Sequence, residues 1–466
     1  SVLLLSACVS APPTTPQTRP IAPQNLGLSR TPAPAFEQWW KAFHDPQADR
    51  LAEKVLAGNP TLAGALARLN AARAQLSEAG GALLPQASLD GQDHRDLFSK
   101  HYIIPPPFGG TYQWFGQVEA NLTWNIDFWG KQKALIARAN DNERAAERDS
   151  AAARLALSGA FAQTYINLLL AYEDGDIANE TVADREQILS LTQGRFDAGL
   201  ENESAVEQAK ALLALARVEV RRSGAARELD VHALAALAGL GADAYRDIAR
   251  PKPDLDAALP LPTELPADLL SRRPDILAAE ARVDAAAKGR EAAHADFYPN
   301  INLAAFAGFQ AIGLSRLFSG GSFTYGAGPA LHLPIFDAGQ IRARYAGATA
   351  DLDSAIAAYN GVVLNAVKQT SDALTEVRTL ESERADQDAA LTAAGRSFAL
   401  AQTRYKTGLS DQILMLNAES TLLTARQEMA QLIANSAIER VTLLLSAGGG
   451  FKPGARMADA SALHKD

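Results

Sequence analysis

The twelve residues Gln117-Val118-Glu119-Ala120-Asn121-Leu122-Thr123-Trp124-Asn125-Ile126-Asp127-Phe128 alternate without a break. Successive side chains of a strand point to opposite faces, so Val118, Ala120, Leu122, Trp124, Ile126 and Phe128 share one side. Gln117, Glu119, Asn121, Thr123, Asn125 and Asp127 share the other. A tilted strand needs about 9–11 residues to cross a bilayer, and this run is long enough. Apolar-out, polar-in alternation of this length is the pattern of a membrane barrel strand, with the six polar residues as candidates to line its lumen. A half-buried soluble sheet would alternate in the same way, but the rest of the chain favours the membrane. Residues 323–335 carry a weaker copy: Phe323, Tyr325, Ala327, Leu331, Leu333 and Ile335 face away from Thr324, Gly326, Gly328, Ala330 and His332. Residues 87–94 and 301–309, following Pro85 and Pro299, read as the starts of partner strands. Trp114, Phe115 and Trp129 flank the best strand, where interfacial aromatics belong.

Four strands cannot close a membrane barrel, and lipid does not tolerate open sheet edges. Several chains must therefore contribute to one barrel. Eight strands from two chains would be filled by side chains, whereas twelve from three would enclose a passage. This physics demands an oligomer and leaves its number open.

Outside the strands the chain reads as helix. No proline lies between Pro107 and Pro251 or between Pro334 and Pro453, and both stretches are rich in Ala, Leu, Glu, Gln and Arg. Leu352, Ile356, Tyr359, Val363, Val367, Thr370, Leu374 and Val377 step by three and four along one buried stripe. Residues 131–196 and 340–405 each predict a helix of roughly 100 Å at 1.5 Å per residue, several times the length of an ordinary globular helix. The halves also repeat. Asn59-Pro60 matches Arg273-Pro274 and Leu84-Pro85 matches Tyr298-Pro299. Arg195-Phe196-Asp197-Ala198-Gly199-Leu200 matches Arg404-Tyr405-Lys406-Thr407-Gly408-Leu409. The expected fold is mostly α with a membrane β-barrel, internally duplicated, with four strands and long coiled helices per chain. The expected division is 1–8 a truncated lipoprotein signal with a lipobox, 9–45 an extended tether and N-terminal equatorial segment, 46–240 a first repeat, 241–266 a proline-rich linker, 267–449 a second repeat and 450–466 a tail.

Charge and cysteine content narrow the function. Forty-four basic against 53 acidic residues give a net charge of −9, which argues against a nucleic-acid partner. The one cysteine, Cys8, excludes an internal disulfide or a multi-cysteine zinc site. It follows Val2-Leu3-Leu4-Leu5-Ser6-Ala7, the end of a secretory signal, and Leu5-Ser6-Ala7-Cys8 resembles a lipobox. Cys8 is therefore the expected site of a covalent lipid, and no other cofactor is expected. Val9 beside it favours delivery to the outer membrane. There is no P-loop, HExxH pair, Gly-x-Ser-x-Gly elbow or dinucleotide fingerprint, so no catalytic or metal site is assigned. His94-Arg95-Asp96-Leu97 imitates a kinase catalytic loop, but His101 stands where an asparagine is needed. A structural periplasmic coiled-coil lipoprotein is the competing reading, and it leaves the alternating strands without a purpose.

The motifs Arg272-Arg273-Pro274-Asp275-Ile276, Ala295-Asp296-Phe297-Tyr298-Pro299-Asn300-Ile301 and Gly328-Pro329-Ala330-Leu331-His332-Leu333-Pro334-Ile335-Phe336-Asp337 resemble those of TolC/OprM-type outer-membrane efflux factors, in particular the NodT-like lipoprotein branch. The resemblance runs from about residue 36 to 450 and includes the duplication. It implies a homotrimer with a twelve-stranded barrel in the outer membrane of a Gram-negative bacterium and an α-helical tunnel in the periplasm. It also implies a passive duct for small molecules such as drugs, fed by a periplasmic membrane-fusion adaptor and an inner-membrane transporter of the RND or another class. It places Phe196, Gly199, Leu200, Tyr405, Gly408 and Leu409 at a tip that meets the adaptor. Asp411, Leu414 and Asn417 become aperture candidates, with Asn417 and Leu414 where relatives often carry aspartate. Tyr405 matches a closing-network tyrosine whose arginine partner is replaced by Ser410.

Overall fold

The computed structural model describes residues 14–29, 38–101, 103–256, 259, 261–266, 269–449 and 451. Cys8 lies outside the described residues. In the first half α1 (Pro46–Gly58) and α2 (Pro60–Gly81) precede β1 (Gln86–Leu97), β2 (Tyr112–Ile126), α3 (Lys131–Asp197) and α4 (Glu203–Leu237). In the second half α5 (Leu269–Arg272) and α6 (Pro274–Ala295) precede β3 (Asn300–Ile312), β4 (Phe323–His332), α7 (Gln340–Lys406) and α8 (Gln412–Ser446). The long helices α3 and α7 each have 67 residues and their shorter partners α4 and α8 each have 35, so the sequence repeat is a structural one.

Local chemistry sets the helix ends. Asp45 caps α1 by accepting from the Gln47 N–H at 2.9 Å, with Pro46 in the first turn, where a missing N–H costs nothing. Asp127 and Asp337 do the same at the starts of α3 and α7, accepting from Gln132 and Lys133 and from Gly339 and Ile341. At the far ends Gly199 (φ 75°) and Gly408 (φ 77°) take the left-handed conformation. The Leu200 N–H then reaches the Arg195 carbonyl and the Leu409 N–H the Arg404 carbonyl, each at 2.8 Å. With the Gly199 N–H donating to the Phe196 carbonyl and the Gly408 N–H to the Tyr405 carbonyl, each stop satisfies two carbonyls that a helix end would otherwise leave open. Asn202 and Asp411 then cap the returning helices α4 and α8.

The chain forms two compact units. One takes in residues 68–147 and 278–360 with residues 14–20. Its sheet is antiparallel in the order β1-β2-β3-β4, leaving β1 and β4 as edges. β2 spans 15 residues, so Trp114 and Phe115, expected to flank the strand, lie within it. β4 stops at His332, short of Leu333 and Ile335. Pro334 cannot donate to a ladder, and the Asp337 cap takes over soon afterwards. Beside the helices of this unit runs the N-terminal segment, held by Arg290 donating to the Thr14 carbonyl, by Asp353 accepting from the Thr18 N–H, and by Asn360 donating to the Arg19 carbonyl.

The other unit takes in the described residues of 21–67, 148–277 and 361–451. Its core joins Trp39, Trp40 and Phe43 to Leu51 and Val55 of α1, Phe161, Tyr165 and Leu168 of α3, Leu234 of α4 and Leu444 of α8. Asp45 ties this core together: it accepts from the Tyr165 hydroxyl at 2.6 Å and from the Lys252 N–H at 2.8 Å. Burial pushes the Asp45 carboxyl upward, but these donors and Gln47 outweigh it and hold the group below its usual range. Arg273, in the motif at the start of α6, pairs through two nitrogens with Asp275 and donates to Gln369 and to the Ser446 carbonyl at the end of α8.

Candidate channel surfaces

Strand register decides what the sheet can do. Directly paired residues share a face, and the pairs Leu89–Ala120, Val118–Phe309 and Phe309–Phe323 carry the apolar side of β2 across all four strands. That face holds Leu89, Leu122, Trp124, Phe323, Tyr325 and Leu331, all exposed. A one-residue slip at any pairing would break the segregation. The opposite face carries Gln92 bonded to Gln117 at 2.6 Å, and Asn121 and Ser88 bonded to Asp90 at 2.8 and 2.9 Å. No Lys or Arg stands at the strand positions of this polar face, which has Asp90, Asp96 and Glu119 as its carboxylates. A run of exposed large apolar side chains on β1, β2 and β4 suits a hydrocarbon neighbour. Gln117, Glu119, Asn121, Thr123 and Asn125 all lie on the polar face.

At the helix tips Phe196 is 38% exposed, Leu200 68% and Leu409 79%, beside the two glycine turns. Leu414 and Asn417 line an open groove between α7 and α8 with Leu400, Arg404, Ala418 and Thr421. Behind this groove the helices pack through Ile188, Phe398, Tyr405, Met415, Leu416 and Leu422. Tyr405 is wholly buried. Its hydroxyl meets Thr192 at 3.1 Å, Thr192 accepts from Gln412, and the Arg195 guanidinium lies 4.8 Å from the Tyr405 ring centre. Two residues beyond Asn417, Glu419 is buried against Arg185 of α3, with Nε and Oε1 2.8 Å apart. The contact lies off the N–H axis, so neither carboxylate oxygen makes an aligned hydrogen bond. Burial, opposed by Arg185 and reinforced by Asp184, pushes the Glu419 carboxyl up to about 7.

Residues 51–240 and 265–449 match the outer membrane efflux protein family. The chain belongs to that family. Among curated relatives it is 35% identical to the fusaric acid resistance protein FusA of Burkholderia cepacia over 75% of this chain and 68% of that one. It is 30% identical to the multidrug resistance outer membrane protein MdtP of Escherichia coli K12 over 90% of this chain and 87% of the relative. The crystal structure of the outer membrane protein VceC from Vibrio cholerae superposes with a TM-score of 0.84 at 31% identity, covering 90% of this chain and all of that one. The protein is an outer-membrane efflux channel, mostly helical, with its small antiparallel sheet as the barrel part.

Against this family frame three expected site residues have other work. Asp127 leaves the lumen set, because β2 ends at Ile126 and the Asp127 carboxylate caps α3. Asp411 caps α8 through the Leu414 N–H while staying exposed, as Leu414 and Asn417 are. Tyr405 is enclosed by Thr192, Arg195 and Gln412 and offers no surface to a partner. The Ser410 hydroxyl is buried without a hydrogen-bond partner among the described residues and does not reach that network. Missed in the sequence were Thr192, Arg195, Gln412 and the Arg185–Glu419 pair. A signal for them existed: Thr181, Arg185, Ile188 and Thr192 step by four, three and four along the buried side of α3.

Proposed function

We propose that three copies join β1 to β4 edge to edge in a twelve-stranded barrel and serve as the exit duct of an efflux pump. In this reading a periplasmic adaptor and an inner-membrane transporter, of the RND or another class, deliver small drug-like molecules to the helical end. The register carries the proposal: over the central rows it sorts four strands into a largely apolar and a largely polar face, and it leaves two edges that lipid would not accept. The resistance functions named for FusA and MdtP support a small-molecule cargo. Phe196, Gly199, Leu200, Gly408 and Leu409 form the adaptor-facing tip in this scheme. The test is purification in detergent followed by planar-bilayer recording. Discrete channels from a particle of three chains are expected, and a monomer without conductance would overturn the proposal.

Leu414 and Asn417 are the proposed aperture lining, since both are exposed on one side of α8. Three copies of Leu414 would narrow the passage without fixed charge. Leu414→Ala should raise resting conductance severalfold, and unchanged conductance would move the constriction elsewhere. We further propose that Cys8 carries the lipid anchor, each buried methylene contributing about 0.8 kcal/mol. The segment from Thr14 to Arg19 is held along α6 and α7, which suits a tethered N-terminus. Cys8→Ser should abolish incorporation of radioactive fatty acid. Persistent labelling would exclude Cys8 as the site.

A further inference from the structure

Phe306 is out of place. Its register partner on β2 is Asn121 and its partner on β4 is Gly326, so the ring stands on the polar face, where hydrocarbon burial does not explain it. A Cβ at Gly326 would come within 2.7 Å of the ring, which therefore lies flat over the glycine backbone and not out from the wall. The ring remains 40% exposed. One step along the same face, Asp90, Glu119, Gly308 and Thr324 form the neighbouring register row. Glu119, whose stem lies over Gly308, thus stands diagonally next to the ring, with Asp90 one strand further along the same row and no Lys or Arg on the strand positions of that side. Asp90 is fixed by Asn121 and Ser88, so the anionic side of the arrangement is held in place before anything binds.

We propose that Phe306, with Asp90 and Glu119, is a station on the lumen wall for aromatic organic cations. The reading rests on the proposed closed barrel. A planar cation would stack its ring on Phe306 and place its charge toward the carboxylates, combining aromatic and cation–π attraction. Glycine opposite the ring leaves room for it to lie back, so small ions pass while a stacking molecule pauses. Covering the Gly326 backbone is a role the ring also has in folding, and the test separates the two.

Single channels in planar bilayers are exposed to ethidium, to tetrabutylammonium as a non-aromatic cation, and to potassium alone. Ethidium should interrupt the current with dwell times longer than those of tetrabutylammonium. Phe306→Leu, which keeps apolar bulk over Gly326, should shorten the ethidium dwell about tenfold and leave potassium conductance unchanged. Phe306→Tyr should restore it, and Glu119→Gln should shorten it with the ring intact. Equal ethidium dwells in the parent and Phe306→Leu, in channels of normal conductance, would overturn the station. Loss of potassium conductance in the parent would instead overturn the barrel reading beneath it.

Discussion

Arg273→Ala is expected to cost about 3–5 kcal/mol of folded stability, read as a large fall in melting temperature by circular dichroism in detergent. The guanidinium is buried and makes four hydrogen bonds, two to Asp275, one to Gln369 and one to the Ser446 carbonyl. The last acceptor belongs to the C-terminal turn of α8, whose carbonyls gain from a nearby cation. Thr370 shares that acceptor at 3.2 Å, so α6, α7 and the end of α8 meet at one point. Alanine would take the guanidinium from the buried Ser446 carbonyl and leave its own volume empty, while the solvent-reached Asp275 and Gln369 would turn to water. Arg273→Lys should recover only part of the loss, because a point charge cannot reproduce the planar fork. A melting curve for Arg273→Ala that superimposes on the parent would show that the cluster contributes nothing to stability.

The Arg185–Glu419 pair should respond asymmetrically to mutation. Glu419→Leu leaves a guanidinium that cannot deprotonate inside the core and should cost about 3–5 kcal/mol. Arg185→Met should cost less, because a buried carboxyl can take up a proton and remain neutral. The double variant Arg185→Met/Glu419→Leu should match the parent or exceed it by about 1–4 kcal/mol, since both desolvation costs are removed and the surrounding Ile188, Met415 and Leu422 can pack on it. The pH dependence has a definite sign. Glu419 titrates near 7 in the folded chain against 4.5 in the reference state, so the folded form holds a proton that the unfolded form releases. Its contribution is complete below about pH 4.5 and is lost as pH rises through about 7, a swing of roughly 3 kcal/mol. The stability advantage of the double variant should therefore widen between pH 5 and pH 8. An advantage that narrows over this range, or a double variant as unstable as Glu419→Leu, would refute the account.

Periodicity made the architecture legible. Unbroken alternation over 117–128 and the two proline-free stretches mark strand and helix directly, because each period belongs to one backbone geometry. Boundaries were harder. Asp127 continues the alternation in the sequence, yet a carboxylate followed within a turn by free N–H groups serves better as a cap, and the strand gives way there. Asp411 likewise serves as a cap, at the start of α8. The resemblance puts Tyr405 at the tip, but its hydroxyl meets Thr192 of α3, 213 residues away in the chain, a distance no local pattern encodes. Glu419 illustrates another limit. Its spacing from Met415, Leu416 and Leu422 puts it on the buried stripe, but a glutamate is read by habit as surface charge. Phe306 has the opposite parity to the apolar positions of β3, so alternation alone assigns it no role.

The two unpaired edges of the sheet have a consequence for heredity. If closure takes three copies, each chain both receives a neighbour's strand along β1 and offers its own along β4. One copy with a crippled edge then spoils two sound partners. With equal expression of an intact and an edge-damaged allele, only about one assembly in eight would contain three intact chains. Such an allele would behave as dominant, even though the damage lies in a single strand and the intact gene is still expressed.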